Sequence, residues 1–299
     1  MAKDNKKMLI TGVSGLLGSN LAYYFRDKYE ILGLYNAHRV AIKGIYAQKS
    51  DLSKPRNIRK ILSEFEPNII IHCASLANVD ECEIKKKKAK KINVEATKDL
   101  IDAILDKDVK IIYISSDSVY NGERGKNAED DVDPQNYYGL SKHEGEKEAL
   151  SHGKSLILRT NFFGRNIQKN KNSLAEWILK ELKAGKTING FKDAYFSAIY
   201  IMQFARIIDV AMKKDLMGVY NCGSRDSCSK LEFAKKIAEI FLMDQEKIIP
   251  ISIDYFPLNA KRGKDLSMNV DKIQRALDMK MPSIDESIRA FYEDFAETL

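Results

Sequence analysis

The sequence is poor in the features that mark secreted or membrane-spanning proteins. It has four cysteines, six prolines and one tryptophan in 299 residues. No apolar run approaches the roughly 20 residues that span a bilayer. The polar, basic start leads directly into a short apolar segment with no signal-peptide cleavage site, so we expect a cytoplasmic protein without a membrane partner. The cysteines form no C-x-x-C pair and the four histidines are scattered, which predicts reduced thiols and no metal site; the cysteines are Cys73, Cys82, Cys222 and Cys228.

Acidic residues are outnumbered by basic ones, 42 to 49, which gives a formal net charge of +7. Much of the excess lies in one run, Lys85–Lys88 with Lys90 and Lys91. No aromatic residue interleaves with this run, so stacking on nucleic-acid bases is not expected. The run is more typical of a solvated helix face, and we predict no nucleic-acid partner.

Short apolar runs alternate with helix-like segments over the first half of the chain. The runs are rich in Ile, Leu and Val, as in strands that are buried on both faces of a parallel sheet. This order predicts an α/β fold of the Rossmann type, a doubly wound parallel sheet. The predicted strands are Met8–Thr11, Glu30–Tyr35, Asn68–Cys73, Val109–Ser115 and Ser155–Arg159; the predicted helices are Leu16–Lys28, Asn57–Phe65, Asn93–Lys107 and Tyr138–Ser151.

The pattern changes after Arg159, where longer amphipathic helices and shorter strand signals follow. We interpret residues 1–164 as a dinucleotide-binding domain and residues 165–299 as a smaller C-terminal α/β substrate lobe. Some segments of that lobe are expected to return to the first domain. The predicted helices are Ser173–Ala184, Tyr200–Met212, Ser229–Phe241 and Ser283–Leu299; the predicted strands are Gly218–Asn221 and Lys247–Ile253.

A glycine-rich loop follows the first predicted strand and opens the first helix. Its spacing is G-x-x-G-x-x-G, with Gly12, Gly15 and Gly18. Glycines allow a sharp turn and a close approach of a pyrophosphate, which the helix N-terminus then binds. A turn without a ligand gives the same pattern, but the position after the first strand favours a cofactor loop. The predicted cofactor-binding residues here are Gly12, Ser14, Gly15, Leu16, Leu17 and Gly18.

The end of the second predicted strand bears on the choice of cofactor. An acidic residue there would bind the free ribose hydroxyl of NAD. The sequence has none, and Asn36 and Arg39 stand in this segment instead. Arg39 can pair with a 2′-phosphate, which favours NADP, although NAD stays possible. The alternative is that Arg39 is a solvated loop charge.

A serine, a tyrosine and a lysine complete the predicted active site. Ser116 follows a buried strand at the edge where open α/β sheets bind ligands. Tyr138 and Lys142 are four residues apart, so they share one face of a helix. We expect Lys142 to lower the pKa of Tyr138 and to reach the cofactor ribose, while Ser116 binds a carbonyl oxygen that Tyr138 protonates. A surface Tyr and Lys on a helix is the alternative interpretation.

Together these residues resemble the extended short-chain dehydrogenase/reductase family, and within it the dTDP-4-dehydrorhamnose reductase branch. The resemblance covers nearly the whole chain. It implies NAD(P)H-dependent reduction of a 4-keto-6-deoxy sugar on a nucleoside diphosphate, in the synthesis of sugars for cell-surface polysaccharides. The matching segments are Thr11–Gly18, His72–Ser75, Ile92–Val94, Ser115–Gly122, Tyr138–Lys142 with Gly145 and Glu146, Arg159–Phe162 and Arg262–Val270.

The resemblance also implies roles for single residues. Asp51 and Leu52 would flank the adenine, and Asn93 would support the active site. Ala74, Ser75 and Ala77 would line the cofactor. A homodimer through the helices at 93–107 and 138–151 is expected. The predicted substrate-binding residues, with Arg262 as a pyrophosphate clamp, are Asp117, Ser118, Asn161, Phe162 and Arg262.

Single positions weigh against some relatives and leave others open. Sugar-nucleotide dehydratases have Asp-Glu after the catalytic hydroxyl, whereas this chain has Asp117-Ser118. Phe162, Ala198 and Gly263 replace a tryptophan and two prolines that are usual in the branch. Two alternatives therefore stay open: a nucleotide-sugar 4-epimerase with tightly held NAD, and a non-catalytic NADP-binding regulatory subunit like that of methionine adenosyltransferase.

Overall fold

A computed structural model describes residues 6–167 and 172–296 of the chain. The strands, in chain order, are β1 Lys7–Thr11, β2 Glu30–Tyr35, β3 Tyr46–Lys49, β4 Ile69–His72, β5 Lys110–Ser116, β6 Ser155–Thr160, β7 Phe162–Phe163, β8 Ile188–Phe191, β9 Tyr195–Phe196, β10 Ile199–Tyr200, β11 Gly218–Asn221, β12 Cys228–Ser229 and β13 Ile248–Ile251.

The helices connect these strands in the order that the alternating pattern predicts. They are α1 Leu16–Phe25, α2 Pro55–Phe65, α3 Val79–Ile84, α4 Lys86–Lys90, α5 Ala96–Asp102, α6 Tyr137–Leu150, α7 Leu174–Lys183, α8 Ile201–Lys213, α9 Lys230–Ile240, α10 Asp271–Leu277 and α11 Ile284–Ala296. A π-helical segment, Lys91–Glu95, joins α4 to α5. A short 3₁₀ turn, Asp117–Val119, follows β5.

Seven parallel strands form the central sheet, in the order β11-β6-β5-β4-β1-β2-β3. The residues of β4 and β6 are all buried, as expected for strands covered by helices on both faces. The strand order reverses beside β1, and ligands bind at such a point outside the carboxyl ends of the strands. The predicted Rossmann-type fold is confirmed.

The C-terminal segments pack against the sheet rather than apart from it. β11 extends the sheet by pairing with β6. One hydrophobic cluster continues from Phe25 in α1 through Phe204 in α8 to Phe291 in α11. A second cluster covers the other face of the sheet with residues of α2 and α5. The site residues at the strand ends therefore rest on a sheet that apolar clusters cover on both faces.

The structure departs from the sequence prediction at several elements. The edge strand β3 was not predicted, because all of its residues are exposed and show no apolar signal. The predicted helix Asn93–Lys107 begins earlier as the π-helical segment and ends at Asp102. The predicted helix Ser283–Leu299 is observed as α11, and residues 297–299 of that prediction lie outside the described residues.

The lysine run lies on α4 and the π-helical segment that follows. Its six side chains are exposed, as a solvated helix face requires. Within the described residues, no helix is long and apolar enough to cross a membrane.

Candidate active site

The glycine loop lies between the end of β1 and the start of α1. Gly12 has a φ of +68°, and a Cβ there would lie 2.8 Å from the backbone nitrogen of Ala74. A side chain at this position would therefore be strained and would collide with the neighbouring strand end. Thr11 holds the same strand end, because its Oγ1 accepts a hydrogen bond of 3.1 Å from the backbone N–H of Ala74.

The first turn of α1 suits a phosphate group. Gly15 precedes the helix without a side-chain cap, and the first turn contains no acidic residue. No side chain of the helix itself therefore neutralises the free backbone N–H groups or the positive end of the helix dipole. The residues that are present thus fit the pyrophosphate of a dinucleotide.

A groove of 690 Å³ runs from this loop along the carboxyl ends of the strands. Asn36, Asp51, Leu52 and Ser75, which are among the predicted cofactor-binding residues, all lie on its wall. The groove is lined by Gly12, Ser14, Gly15, Leu34–His38, Ser50–Ser53, Cys73–Leu76, Glu81, Lys88, Lys91, Ile92 and Ala96.

Some predicted cofactor residues lie outside this lining. Arg39 is exposed and follows the last lining residue of its loop, His38. Ala77 lines the neighbouring cavity instead. Asn93 is buried and supports the groove indirectly, because its Oδ1 accepts a 2.7 Å hydrogen bond from the backbone of Leu76. The remaining predicted residues outside the lining are Leu16, Leu17 and Gly18 in α1, and Tyr138 and Lys142 in α6.

A histidine that the sequence analysis did not select stabilises the base of the groove. His72 ends β4, and its Nδ1 forms a 2.7 Å hydrogen bond with Thr11 Oγ1. Its Nε2 lies 3.1 Å from Thr97 Oγ1. Burial, with a smaller effect of the charge on Lys142, lowers the pKa of His72 to about 3. The neutral ring therefore joins β1, β4 and α5 beneath the cofactor groove.

Ser116 and Tyr138 lie together beside the groove and line the same cavity, whereas Lys142, predicted to reach the cofactor ribose, lines neither that cavity nor the groove. Ser116 ends β5, and Tyr138 lies in the first turn of α6, which Asn136 caps through a 2.9 Å hydrogen bond from the Gly139 N–H. A Cβ on Gly139 would lie 1.9 Å from the carbonyl oxygen of Ser118. The missing side chain therefore lets α6 approach the segment that follows Ser116.

The electrostatics of the three residues differ from the prediction in one respect. Burial raises the pKa of Tyr138 above its usual value, and a hydrogen bond with Ser116 only partly opposes this effect. Lys142 was expected to lower this pKa, but its Nζ instead donates a 2.6 Å hydrogen bond to the Ile114 carbonyl oxygen and lies 4.1 Å from the Tyr113 ring centroid. Burial lowers the pKa of Lys142 to about 8. Tyr138 is thus a neutral phenol that holds a proton.

A cavity of 420 Å³ opens beside Tyr138. All five predicted substrate-binding residues line it, although they come from three separate segments. The cavity is lined by Ala77, Val79, Ser116–Ser118, Tyr138, Thr160–Phe162, Phe191, Ala194–Phe196, Lys230, Ile253, Leu258, Arg262, Gly263 and Leu266.

A buried carboxylate lies at the inner end of this cavity. Asp117 accepts a 2.7 Å hydrogen bond from Asn161 Nδ2 and a 3.0 Å bond from Ser116 Oγ. Burial raises the pKa of Asp117, and these hydrogen bonds oppose the rise. Asp117 thereby links β5 to the segment after β6 and fixes the orientation of the Ser116 hydroxyl.

Arg262 lies at the other side of the cavity. Its Nη2 is 2.8 Å from a carboxylate oxygen of Asp80. A second cavity, of 480 Å³, adjoins here and shares Ile253, Leu258, Arg262 and Gly263 with the first. The two cavities together therefore form one elongated space that ends at Tyr138.

The sequence analysis missed several residues of the cavity wall. Lys230 begins α9, and Tyr195 and Phe196 form β9. Their local sequence has no spacing that connects them with Ser116 or Tyr138. Only the capping sequence at Ser229 marks a helix start beside Lys230, and it gives no sign of a cavity.

A model of the RmlD substrate binding domain family matches residues 6–297 of the chain. The chain belongs to this family. The predicted membership of the extended short-chain dehydrogenase/reductases is thereby confirmed.

Solved structures and a curated relative extend the comparison. A structure of dTDP-4-dehydrorhamnose reductase from Bacillus anthracis in complex with NADP is 26% identical and superposes with a TM-score of 0.84, covering 97% of this chain and all of the other. A hypothetical dTDP-4-dehydrorhamnose reductase from Sulfolobus tokodaii is 33% identical with a TM-score of 0.82, over 94% and 98% of the chains. The methionine adenosyltransferase 2 subunit beta of Danio rerio is 26% identical over 90% of this chain and 84% of its own length. The chain is thus similar both to named reductases and to a named enzyme subunit.

Proposed function

We propose that this chain is an NADP-dependent reductase of a 4-keto-6-deoxy sugar linked to a nucleoside diphosphate. The observation that carries the proposal is the placement of Ser116 and Tyr138 on the wall of a cavity that adjoins the dinucleotide groove. The similarity to named reductases over nearly the whole chain supports the same activity.

The chain's own residues supply binding and proton transfer. The reduced nicotinamide supplies the hydride when it is bound. Ser116 holds the carbonyl oxygen of the sugar, and its own hydroxyl is oriented by Asp117 at 3.0 Å. Tyr138, a neutral phenol because burial raises its pKa, donates its proton to that oxygen as the carbonyl becomes an alcohol. Lys142 lies one turn after Tyr138 in α6, and its buried Nζ donates a hydrogen bond to the Ile114 carbonyl oxygen, so its place in the proposed mechanism is to fix α6 against β5 beside the catalytic residues.

The wall of the groove supports NADP in particular. In the part of the chain that the structure describes, the end of β2 presents Asn36 and His38 and no carboxylate to the groove. A carboxylate there would repel a 2′-phosphate and accept a ribose hydroxyl. We assign Arg39, beside this wall, to the 2′-phosphate.

The elongated space supports a substrate larger than a free sugar. The cavity beside Tyr138 accommodates the sugar, and the adjoining cavity, with Arg262 at the boundary, accommodates the remainder of a nucleotide. We also propose that residues 1–164 bind the cofactor and that residues 165–299 form the lobe that covers the bound sugar. A homodimer is also proposed, through a face of α6 on which Leu140 and Leu150 are exposed.

The test is turnover of NADPH with a nucleoside diphosphate 4-keto-6-deoxy sugar, followed by absorbance. Tyr138→Phe should lower kcat by about 10²- to 10⁴-fold, the usual contribution of a general acid, while NADPH still binds. Tyr137→Phe is the matched control, because Tyr137 does not line the sugar cavity. Near-normal turnover of Tyr138→Phe would remove the proposed mechanism.

The alternatives predict other outcomes of the same experiment. If the parent protein binds NADPH but oxidises none with any keto sugar, a non-catalytic subunit is the better interpretation. If the purified protein holds NAD that does not exchange, a 4-epimerase is favoured.

A further inference from the structure

The sugar cavity contains two cationic side chains, Lys230 and Arg262, and they differ in their surroundings. Arg262 is paired, because its Nη2 lies 2.8 Å from Asp80 and its Nη1 donates a 3.3 Å hydrogen bond to the Ala260 carbonyl oxygen. Among residues 6–167 and 172–296 the ammonium group of Lys230 has no hydrogen-bond acceptor or ion-pair partner, and its one ring contact is with Phe196, at 5.9 Å from the ring centroid. Lys230 is therefore the cation of this cavity whose charge is left for a ligand.

The backbone of Lys230 is firmly held although its ammonium group is not. Its N–H donates a 2.9 Å hydrogen bond to the Ala194 carbonyl oxygen. The preceding residue, Ser229, forms a reciprocal cap with Glu232, through bonds of 3.1 and 2.7 Å. These contacts fix the first turn of α9 against the wall of the cavity. The partly buried side chain starts from a rigid base and is not a mobile surface lysine.

The charges around Lys230 call for an anion. Burial lowers the pKa of Lys230, and the charge on Arg262 lowers it further, whereas Asp117 opposes both effects. Asp117 is already bound by Asn161 and Ser116, at the reacting end of the cavity. A partly desolvated ammonium group without a hydrogen-bond partner is unfavourable, and so are two cations in one cavity. A ligand group with two negative charges would relieve both, whereas a neutral sugar hydroxyl would relieve neither.

We propose that Lys230 binds the diphosphate of the substrate, together with Arg262. The inference deepens the proposed function, because it assigns the group that recognises a nucleoside diphosphate rather than a free sugar. Lys230 lines the same cavity as Asp117 and Arg262, so both cations can reach a diphosphate whose sugar lies beside Tyr138.

The experiment measures binding of nucleoside diphosphates without turnover. The affinities of the parent protein for dTDP, UDP and GDP are measured by titration calorimetry. The diphosphate that binds most tightly and its matching nucleoside are then used with the variants. Lys230→Met should lower the affinity for the diphosphate by about 10-fold or more, since a charge-assisted hydrogen bond contributes about that factor. The affinity for the nucleoside should change by less than about 2-fold, which is within the usual error of such a measurement. Lys230→Arg should restore most of the diphosphate affinity because it keeps the charge.

The matched control is Lys235→Met, on the exposed side of the same helix. It should leave the affinities for the diphosphate and for NADPH unchanged. NADPH binding also reports whether Lys230→Met is folded, and Lys230→Gln is a second variant if it is not. An unchanged diphosphate affinity in the folded Lys230 variants would overturn the inference, as would a parent protein that binds none of the three diphosphates.

The outcome is separable from the test of the proposed function. A protein that oxidises no NADPH but loses diphosphate binding in Lys230→Met would refute the reductase proposal and support the role of Lys230. A working reductase whose affinity for the diphosphate does not change in Lys230→Met would support the reductase proposal and refute the role of Lys230.

Discussion

Replacement of Lys142 by methionine should stabilise the fold while it removes activity. The Lys142 side chain is 3% exposed, and its Nζ donates a single 2.6 Å hydrogen bond, to the Ile114 carbonyl oxygen. Burial lowers its pKa from 10.5 to about 8. At about 1.4 kcal/mol per pKa unit, the charged form costs the native state about 3 kcal/mol at neutral pH. Methionine has a similar length and carries no charge.

Two favourable contacts of Lys142 reduce the net effect. The lost hydrogen bond to Ile114 is worth about 1 kcal/mol. The ammonium group also lies 4.1 Å from the Tyr113 ring centroid, and a contact of this kind contributes about 0.5–1 kcal/mol. The expected gain in the free energy of unfolding is therefore about 1–2 kcal/mol at pH near 7.

The gain should depend on pH in a defined direction. Below the folded pKa of about 8, Lys142 is charged in both states, so the parent protein has the full burial penalty. Between that value and 10.5 the unfolded chain binds more protons than the folded one, so the stability of the parent rises with pH. Methionine lacks this titration, so its advantage should disappear within this range, and near pH 10.5 the parent should be the more stable protein by about 1–2 kcal/mol.

Urea unfolding of the cofactor-free proteins at pH near 7 and near 10 measures both effects. Lys147→Met is the control on the same helix, because Lys147 is exposed and should change stability by less than about 0.5 kcal/mol. A Lys142→Met protein that is less stable than the parent at neutral pH would refute the reasoning, as would a gain that does not vary with pH.

Two further predictions concern an ion pair in the core and the choice of cofactor. Glu146→Gln should lower the free energy of unfolding by about 3 kcal/mol at neutral pH. Arg159 donates hydrogen bonds of 2.9 and 2.7 Å to Glu146, and the pKa of the Glu146 carboxyl is lowered from 4.5 to about 2. In the parent this stabilisation is present above pH 4.5 and is lost as the pH falls toward 2. If urea unfolding shows that Glu146→Gln loses less than about 1 kcal/mol at neutral pH, the prediction is contradicted. Arg39→Ala should lower the ratio of kcat/KM for NADPH over NADH by about 10-fold or more, and an unchanged ratio would show that Arg39 does not bind the 2′-phosphate.

Local patterns in the sequence determined the parts of the site that lie close together in the chain. The glycine loop follows β1 directly, and its spacing reports the backbone geometry that a phosphate requires. Tyr138 and Lys142 share a helix face because they are four residues apart. Continuous apolar runs predicted the buried parallel strands, since a strand covered on both faces has no polar alternation. In each case the physical requirement acts within a few residues, so a short segment of the sequence is enough to predict the feature.

Only the tertiary structure decided which distant residues share the sugar cavity. Strand β3 is fully exposed and exists because β2 offers an unpaired edge, which no local signal reports. Arg262 pairs with Asp80, and the first turn of α9 brings Lys230 to the cavity that contains Asp117. The pKa values of Tyr138 and Lys142 are likewise set by burial among many segments. The glycine loop and the catalytic spacing were therefore predictable, whereas the charges that select the substrate depended on how the C-terminal segments pack against the sheet.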